Sequence, residues 1–108
     1  MEDKLTQEQM SEKAKWFDTL HDLGFVWEGN VKNKPNSTSS WRHKNIRGLI
    51  VHLGLITAES HPHCGHFEAM ISIERSWPDA YVHLNAASPD KLVKLYDLII
   101  GVKRVYES

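Results

Sequence analysis

Residues 48–57, GLIVHLGLIT, decide the fold of this chain. Every second residue within them is apolar: Leu49, Val51, Leu53 and Leu55. Successive side chains of a β-strand point to opposite faces of the sheet, so this alternation predicts a strand with one buried face. The same alternation returns in residues 67–75 and 80–85. Three consecutive strands with short connections favour an antiparallel meander.

Helical patterns flank these strands. Residues 6–23 carry apolar side chains at helical spacing, and residues 89–104 do the same. Thr6 and Gln9 match a capping box, in which each side chain bonds the backbone amide of the other residue. Gly24 is suited to end the first helix in a left-handed turn. The apolar stripe predicted to face the core in the first helix is Met10, Ala14, Phe17 and Leu20.

These elements predict one α+β domain over residues 1–108. We expect a single antiparallel sheet of four or five strands, in which residues 25–28 and 41–44 add to the three clear strands. Both terminal helices should pack on the same face of this sheet. Residues 32–40 contain no apolar side chain, which predicts a flexible, solvated loop.

Composition narrows the classes of function. The formal net charge is −1, so no strong field draws the chain to nucleic acid or to an anionic membrane. A single cysteine excludes an internal disulfide and fits a reducing compartment. No apolar run is long enough to span a bilayer. We therefore expect a soluble, cytoplasmic protein that needs no cofactor, with nucleic acid an unlikely partner and no membrane association.

One short loop concentrates residues that can bind metal. His61, His63, Cys64 and His66 lie within six positions, between two of the predicted strands. Imidazole and thiolate are the usual zinc ligands, but structural sites take two pairs, each separated by two to four residues. His63 and Cys64 are adjacent and no second pair follows. The pattern favours a polar hairpin loop without metal, and these four residues are the ligands if a site exists.

Alternation also predicts the composition of the opposite sheet face. If Leu53 pairs with Ile71, His52 faces Ser72 on the neighbouring strand. If Ile73 pairs with Val82, Ser72 faces His83. The sequence thus predicts a row of His52, Ser72 and His83 across three strands, about 5 Å apart stepwise.

A serine between two histidines raises the possibility of nucleophilic catalysis. That chemistry needs a base, a group that orients the base and an oxyanion hole. Ser72 lies in the middle of a strand, with no glycine-rich turn beside it. We therefore predict that the chain is not an enzyme.

A contact surface for a protein is the hypothesis that fits this face best. Aromatic and mixed polar groups are typical of interfaces, and four tryptophans are many for 108 residues. The candidate partner-binding residues are His52, Met70, Ser72, Glu74, Tyr81, His83, Trp41 and Arg42. We expect a non-catalytic inhibitor, adaptor or regulator, of the kind that mobile elements or phages also carry, which binds a protein partner or self-associates. The alternatives are a metal-binding protein using the 61–66 loop and a weak nucleic-acid binder using the basic segment 32–47.

Overall fold

The computed structural model describes residues 5–30, 38–73 and 82–107. Five strands form one antiparallel sheet, in which they lie in chain order. One helix precedes the strands in the sequence and one follows them. The elements are α1 Gln7–Leu23, β1 Phe25–Asn30, β2 Ser39–His43, β3 Leu49–Leu55, β4 Phe67–Ile73, β5 Val82–Ala86 and α2 Pro89–Glu107. This confirms the predicted α+β class, the meander and the terminal helices. Ser39 and Ser40 belong to β2, so the predicted loop 32–40 is shorter at this end.

The first helix begins and ends where its capping residues predict. The Thr6 hydroxyl accepts a hydrogen bond from the Gln9 amide at 3.0 Å, and the Gln9 side chain accepts one from the Thr6 amide at 2.9 Å. Gly24 adopts φ +97°, the left-handed conformation that an L side chain rarely takes. These bonds satisfy amides that the first turn of a helix leaves without a partner. Neither described helix is long and apolar enough to cross a membrane.

The buried stripe of α1 differs from the predicted one. Trp16 and Leu20 are fully buried, whereas Met10 and Ala14 are exposed and Phe17 is half-buried. The prediction was correct for Leu20, and Phe17 packs against the core, but it was wrong for Met10 and Ala14. The helix is rotated so that the large indole of Trp16 enters the core, where it removes more apolar area from water than Met10 would.

Both helices cover the same face of the sheet. Trp41 and His43 are alternate residues of β2 and therefore point to one side. The Trp41 ring meets Phe17 of α1 at a centroid distance of 4.9 Å, and the His43 ring stacks on Tyr96 of α2 at 5.7 Å. The core between sheet and helices also buries Phe25, Leu49, Val51, Leu53, Phe67, Ala69, Ile71, Ile73, Ala86, Leu92 and Ile99.

The strand registers are partly as predicted. Ile73 pairs with Val82, which confirms the register between β4 and β5. Leu53 pairs with Ala69, so the predicted pairing of Leu53 with Ile71 was wrong. Residues 56–66 close this hairpin through several turns, and the number of residues in such a loop does not fix the register as a tight turn does. A shift of two residues preserves the face to which each side chain points.

Candidate contact surface

The face of the sheet opposite the helices is called the outer face below. Two rows of cross-strand partners define it. The first row is Ser40, His52, Met70 and Asn85, and the second is Val26, Arg42, Ile50, Ser72 and His83. Both described helices lie on the other side of the sheet.

The centre of the outer face carries both apolar and polar side chains. His52 and Met70 are direct partners on the two central strands, and both side chains are half-buried. Ile50 is half-buried beside His52, two positions earlier on β3. Glu68 adds a carboxylate two positions from Met70. This mixture of aliphatic, thioether, imidazole and carboxylate groups is typical of protein interfaces.

The predicted row of His52, Ser72 and His83 does not form. Ser72 lies between Ile50 and His83 as cross-strand partners, while His52 is displaced to the neighbouring row. Ser72 is also only 6% exposed, so it offers little surface to a partner. The two-residue register shift between β3 and β4 separates His52 from Ser72.

The remaining predicted residues have different positions. Arg42 lies on the outer face and its Nε donates to Glu28 at 2.6 Å. Trp41 is completely buried on the opposite face, so it cannot contribute a surface contact in this structure. Glu74 and Tyr81 lie outside the described residues, and of His83 only the pairing with Ser72 is described.

The histidine loop, residues 61–66, is anchored to α1 by hydrogen bonds. The side-chain amide of Gln9 donates to the Gly65 carbonyl at 3.0 Å, and the backbone amide of Phe67 donates to the Glu12 carboxylate at 3.0 Å. The other carboxylate oxygen of Glu12 lies 3.4 Å from His66 Nδ1. Within residues 5–30, 38–73 and 82–107, no three potential ligands converge.

The other loop residues do not assemble a site. The rings of His61 and His63 are 5.7 Å apart, and the Cys64 thiol is exposed. The His61 ring instead accepts a hydrogen bond from the His63 amide at 3.0 Å. That bond stabilises the turn and occupies the Nδ1 atom of His61.

Among the histidines whose side chains the structure describes, the one with the most partners is one that we did not select from the sequence. His43 is buried at the end of β2. Its Nδ1 accepts hydrogen bonds from the Asn45 and Ile46 amides, both at 3.1 Å. Two donors at Nδ1 place the ring proton on Nε2, which donates to the Leu23 carbonyl at 2.7 Å. The signal was available, since Ser39, Trp41 and His43 alternate with polar residues and all three are buried.

His43 joins four parts of the fold. It binds the last residue of α1 and the turn after β2, and it contacts Phe25 of β1 edge to face. The Tyr96 hydroxyl of α2 lies 3.2 Å from Nε2. Gly24 makes this approach possible, because a Cβ there would lie only 2.8 Å from Nε2. Both ring nitrogens are occupied, so His43 has a structural role.

Tyr96 shares this environment. Burial, and secondarily the negative charge of Asp97, raises the pKa of the Tyr96 hydroxyl. Both effects favour the neutral phenol at the contact with His43.

Comparison of the chain with family models, with curated proteins and with solved structures finds no match, so its function is inferred from its own residues.

Proposed function

We propose that this chain is a small, non-catalytic protein-binding module, of the inhibitor, adaptor or regulator kind, that docks on another protein through the outer face of its sheet. The observation that carries the proposal is the His52–Met70 pair at the centre of that face, with Ile50 beside it. Both described helices pack on the opposite side. An apolar centre with polar neighbours is the usual composition of an interface.

The position of this pair on the central strands supports docking. β3 and β4 each have a paired strand on both sides, so their backbones are held on both edges. Side chains presented from such strands lose less conformational entropy on binding than side chains on a loop. Met70 adds a flexible, polarisable group that can adapt to the shape of a partner.

The charged groups around the centre support specificity. Arg42 and Glu28 form an ion pair toward the β1 side of the face, and Glu68 lies on the other side of Met70 from Ser72. Exposed ion pairs contribute little to folding stability, so this pair can be rearranged by a partner at small cost. Charges at the rim of an interface mainly govern partner choice and association rate.

The test compares two substitutions of exposed or half-exposed apolar residues by glutamate. Met70→Glu places a charge at the centre of the outer face, and Leu98→Glu places one on α2, where Leu98 is 57% exposed. The partner is isolated from the source cells with tagged parent protein, purified and titrated by calorimetry. We expect Met70→Glu to weaken binding at least roughly tenfold, while Leu98→Glu binds like the parent.

Hydrogen exchange supplies a second readout on the same complex. Partner binding should slow exchange of amides in β3 and β4 more than in α2. Equal affinities of Met70→Glu and parent, with both variants folded, would contradict the proposal. Protection confined to the helices would contradict it as well.

A further inference from the structure

The first strand lies at one edge of the sheet. β1 is the terminal strand in the spatial order, and no described residue pairs with its outer side. Such an edge presents a row of backbone amides and carbonyls without partners within the sheet. Another extended strand can pair with this row in place of water.

The composition of β1 favours pairing. Val26 is 43% exposed and Trp27 is 54% exposed, although both are large and apolar. Proteins commonly guard exposed edges with lysine or proline, and β1, FVWEGN, contains neither. β5 forms the opposite edge of the sheet. There the exposed residue Asn85 is polar, and the apolar residue Ala86 is buried.

One half of β1 is regular. Phe25, Val26 and Trp27 pair in register with β2, and the irregularity lies between Trp27 and Gly29. A bulge bends a strand and discourages pairing at its own position. The regular segment 25–27 is therefore the part of the edge that can accept a strand.

We propose that β1 pairs with β1 of a second copy of this chain, antiparallel and about a twofold axis at Val26. In this register Val26 lies opposite its own equivalent, and Phe25 lies opposite Trp27 of the other copy. Residues of the same face then meet, so the helices of both copies stay on one side and the outer faces become continuous. The apolar side chains of the segment find apolar partners on the facing strand.

The charges permit this symmetric contact. The only ionised side chain of β1 is Glu28, and Arg42 of the same chain neutralises it at 2.6 Å. With the axis at Val26, Glu28 lies opposite Gly24 of the second copy, so like charges do not face each other. A pairing of two short strands buries little area, so the dimer should be weak and transient.

The mass of the parent chain in solution tests the dimer. Light scattering over about 5–500 µM should show a rise from one chain to two. Trp27→Lys and Val26→Lys should each move the midpoint up by at least roughly tenfold, because lysine on an edge resists strand addition. Leu98→Lys, at a similarly exposed leucine on α2, should dimerise like the parent.

Several results would overturn the inference. The first is a parent chain that stays monomeric over the whole concentration range. The second is that the Val26→Lys and Trp27→Lys variants dimerise with the parent's midpoint. The third is that Leu98→Lys weakens dimerisation as much as they do. If circular dichroism shows Trp27→Lys unfolded, Val26→Lys alone decides the question.

Disulfide trapping tests the register. In a Cys64→Ser background, which removes the only native cysteine, Val26→Cys should form a covalent dimer. Directly paired strand residues bring their Cβ atoms to about 4.5–5.5 Å, close to disulfide distance. Leu98→Cys, the exposed control, should stay monomeric under the same oxidant. Equal yields at both positions would show that the trapping is not specific to β1.

The inference concerns the backbone edge of β1 and not the centre of the outer face at His52 and Met70, so it goes beyond the proposed function. Met70→Glu should leave the dimer intact. Trp27, which alternates with Val26 and points to the helix side, can be changed to lysine without altering the centre of the outer face. Trp27→Lys therefore tests the dimer alone, and Met70→Glu tests protein docking alone.

Discussion

The 61–66 loop and the end of β2 both contain histidine, and they have opposite properties. Residues 61–66 hold three histidines and the cysteine within one exposed loop. Hydrogen bonds from Gln9 and to Glu12 connect this loop and the residue after it to α1. His43 stands alone in the sequence, is buried, and bonds α1 and the turn after β2 while contacting α2. Local density of reactive residue types therefore did not identify the histidine on which the structure depends. Alternation along a strand is the more informative signal.

The largest expected difference in stability is between His43→Ala and His63→Ala. His43→Ala leaves backbone groups of Leu23, Asn45 and Ile46 without their hydrogen-bond partner and replaces a buried ring by a cavity. We expect a loss of about 2–4 kcal/mol in the free energy of unfolding. His63→Ala, at an exposed position, should change it by less than about 0.5 kcal/mol. Urea denaturation of both variants measures the difference, and similar losses would show that the loop also supports the core.

Tyr96→Phe should have an intermediate effect, because it removes only the hydroxyl at His43. We expect a loss of about 0.5–1.5 kcal/mol at neutral pH, measured by urea denaturation. Burial, with a smaller contribution from Asp97, raises the pKa of Tyr96 above its usual 10.0. Above that pH the unfolded chain loses this proton more readily than the folded chain, so the parent is destabilised as pH rises.

The alkaline limb of the stability curve separates this effect from packing. The parent should lose stability more steeply than Tyr96→Phe above pH ~10, and the two curves should run parallel below it. Other tyrosines titrate in both proteins and cancel in the comparison. Parallel curves throughout would mean that Tyr96 ionises in the folded chain as it does in the unfolded chain.

Zinc should have the smallest effect. A ligand that binds only the folded chain stabilises it by about 2.7 kcal/mol at a hundredfold excess over its dissociation constant. The described residues bring no three ligands together, so zinc should leave the melting temperatures of the parent and His63→Ala unchanged. Calorimetry with added zinc and elemental analysis measure this. One bound zinc in the parent, lost in His63→Ala, would make the loop a metal site.

Local chemistry explains why the fold could be predicted. Thr6, Gln9 and Gly24 determine the ends of α1 through bonds to near neighbours in the chain. Alternation assigns strand residues to faces without knowledge of the register, which is why Val51 and Ile71 were correctly expected in the core. These features depend on neighbours a few residues away.

Features that depend on distant partners could not be predicted in the same way. The register between β3 and β4 depends on how residues 56–66 fold back, and Gln9 and Glu12 contribute to that loop from the other end of the chain. The rotation of α1 depends on space in the core for Trp16. Trp41 was wrongly predicted as a contact residue, because the sequence does not show that Phe17 of α1 covers its side of β2.

The attachment of the histidine loop to α1 has a consequence for folding kinetics. Each strand pairs with its neighbours in sequence, so the sheet can form by successive closure of short segments. The bonds from Gln9 to Gly65 and from Glu12 to Phe67 instead join residues 56 and 55 positions apart. Closing so long a segment costs chain entropy before any bond repays it. We therefore expect β3 and β4 to pair early in folding and α1 to dock late.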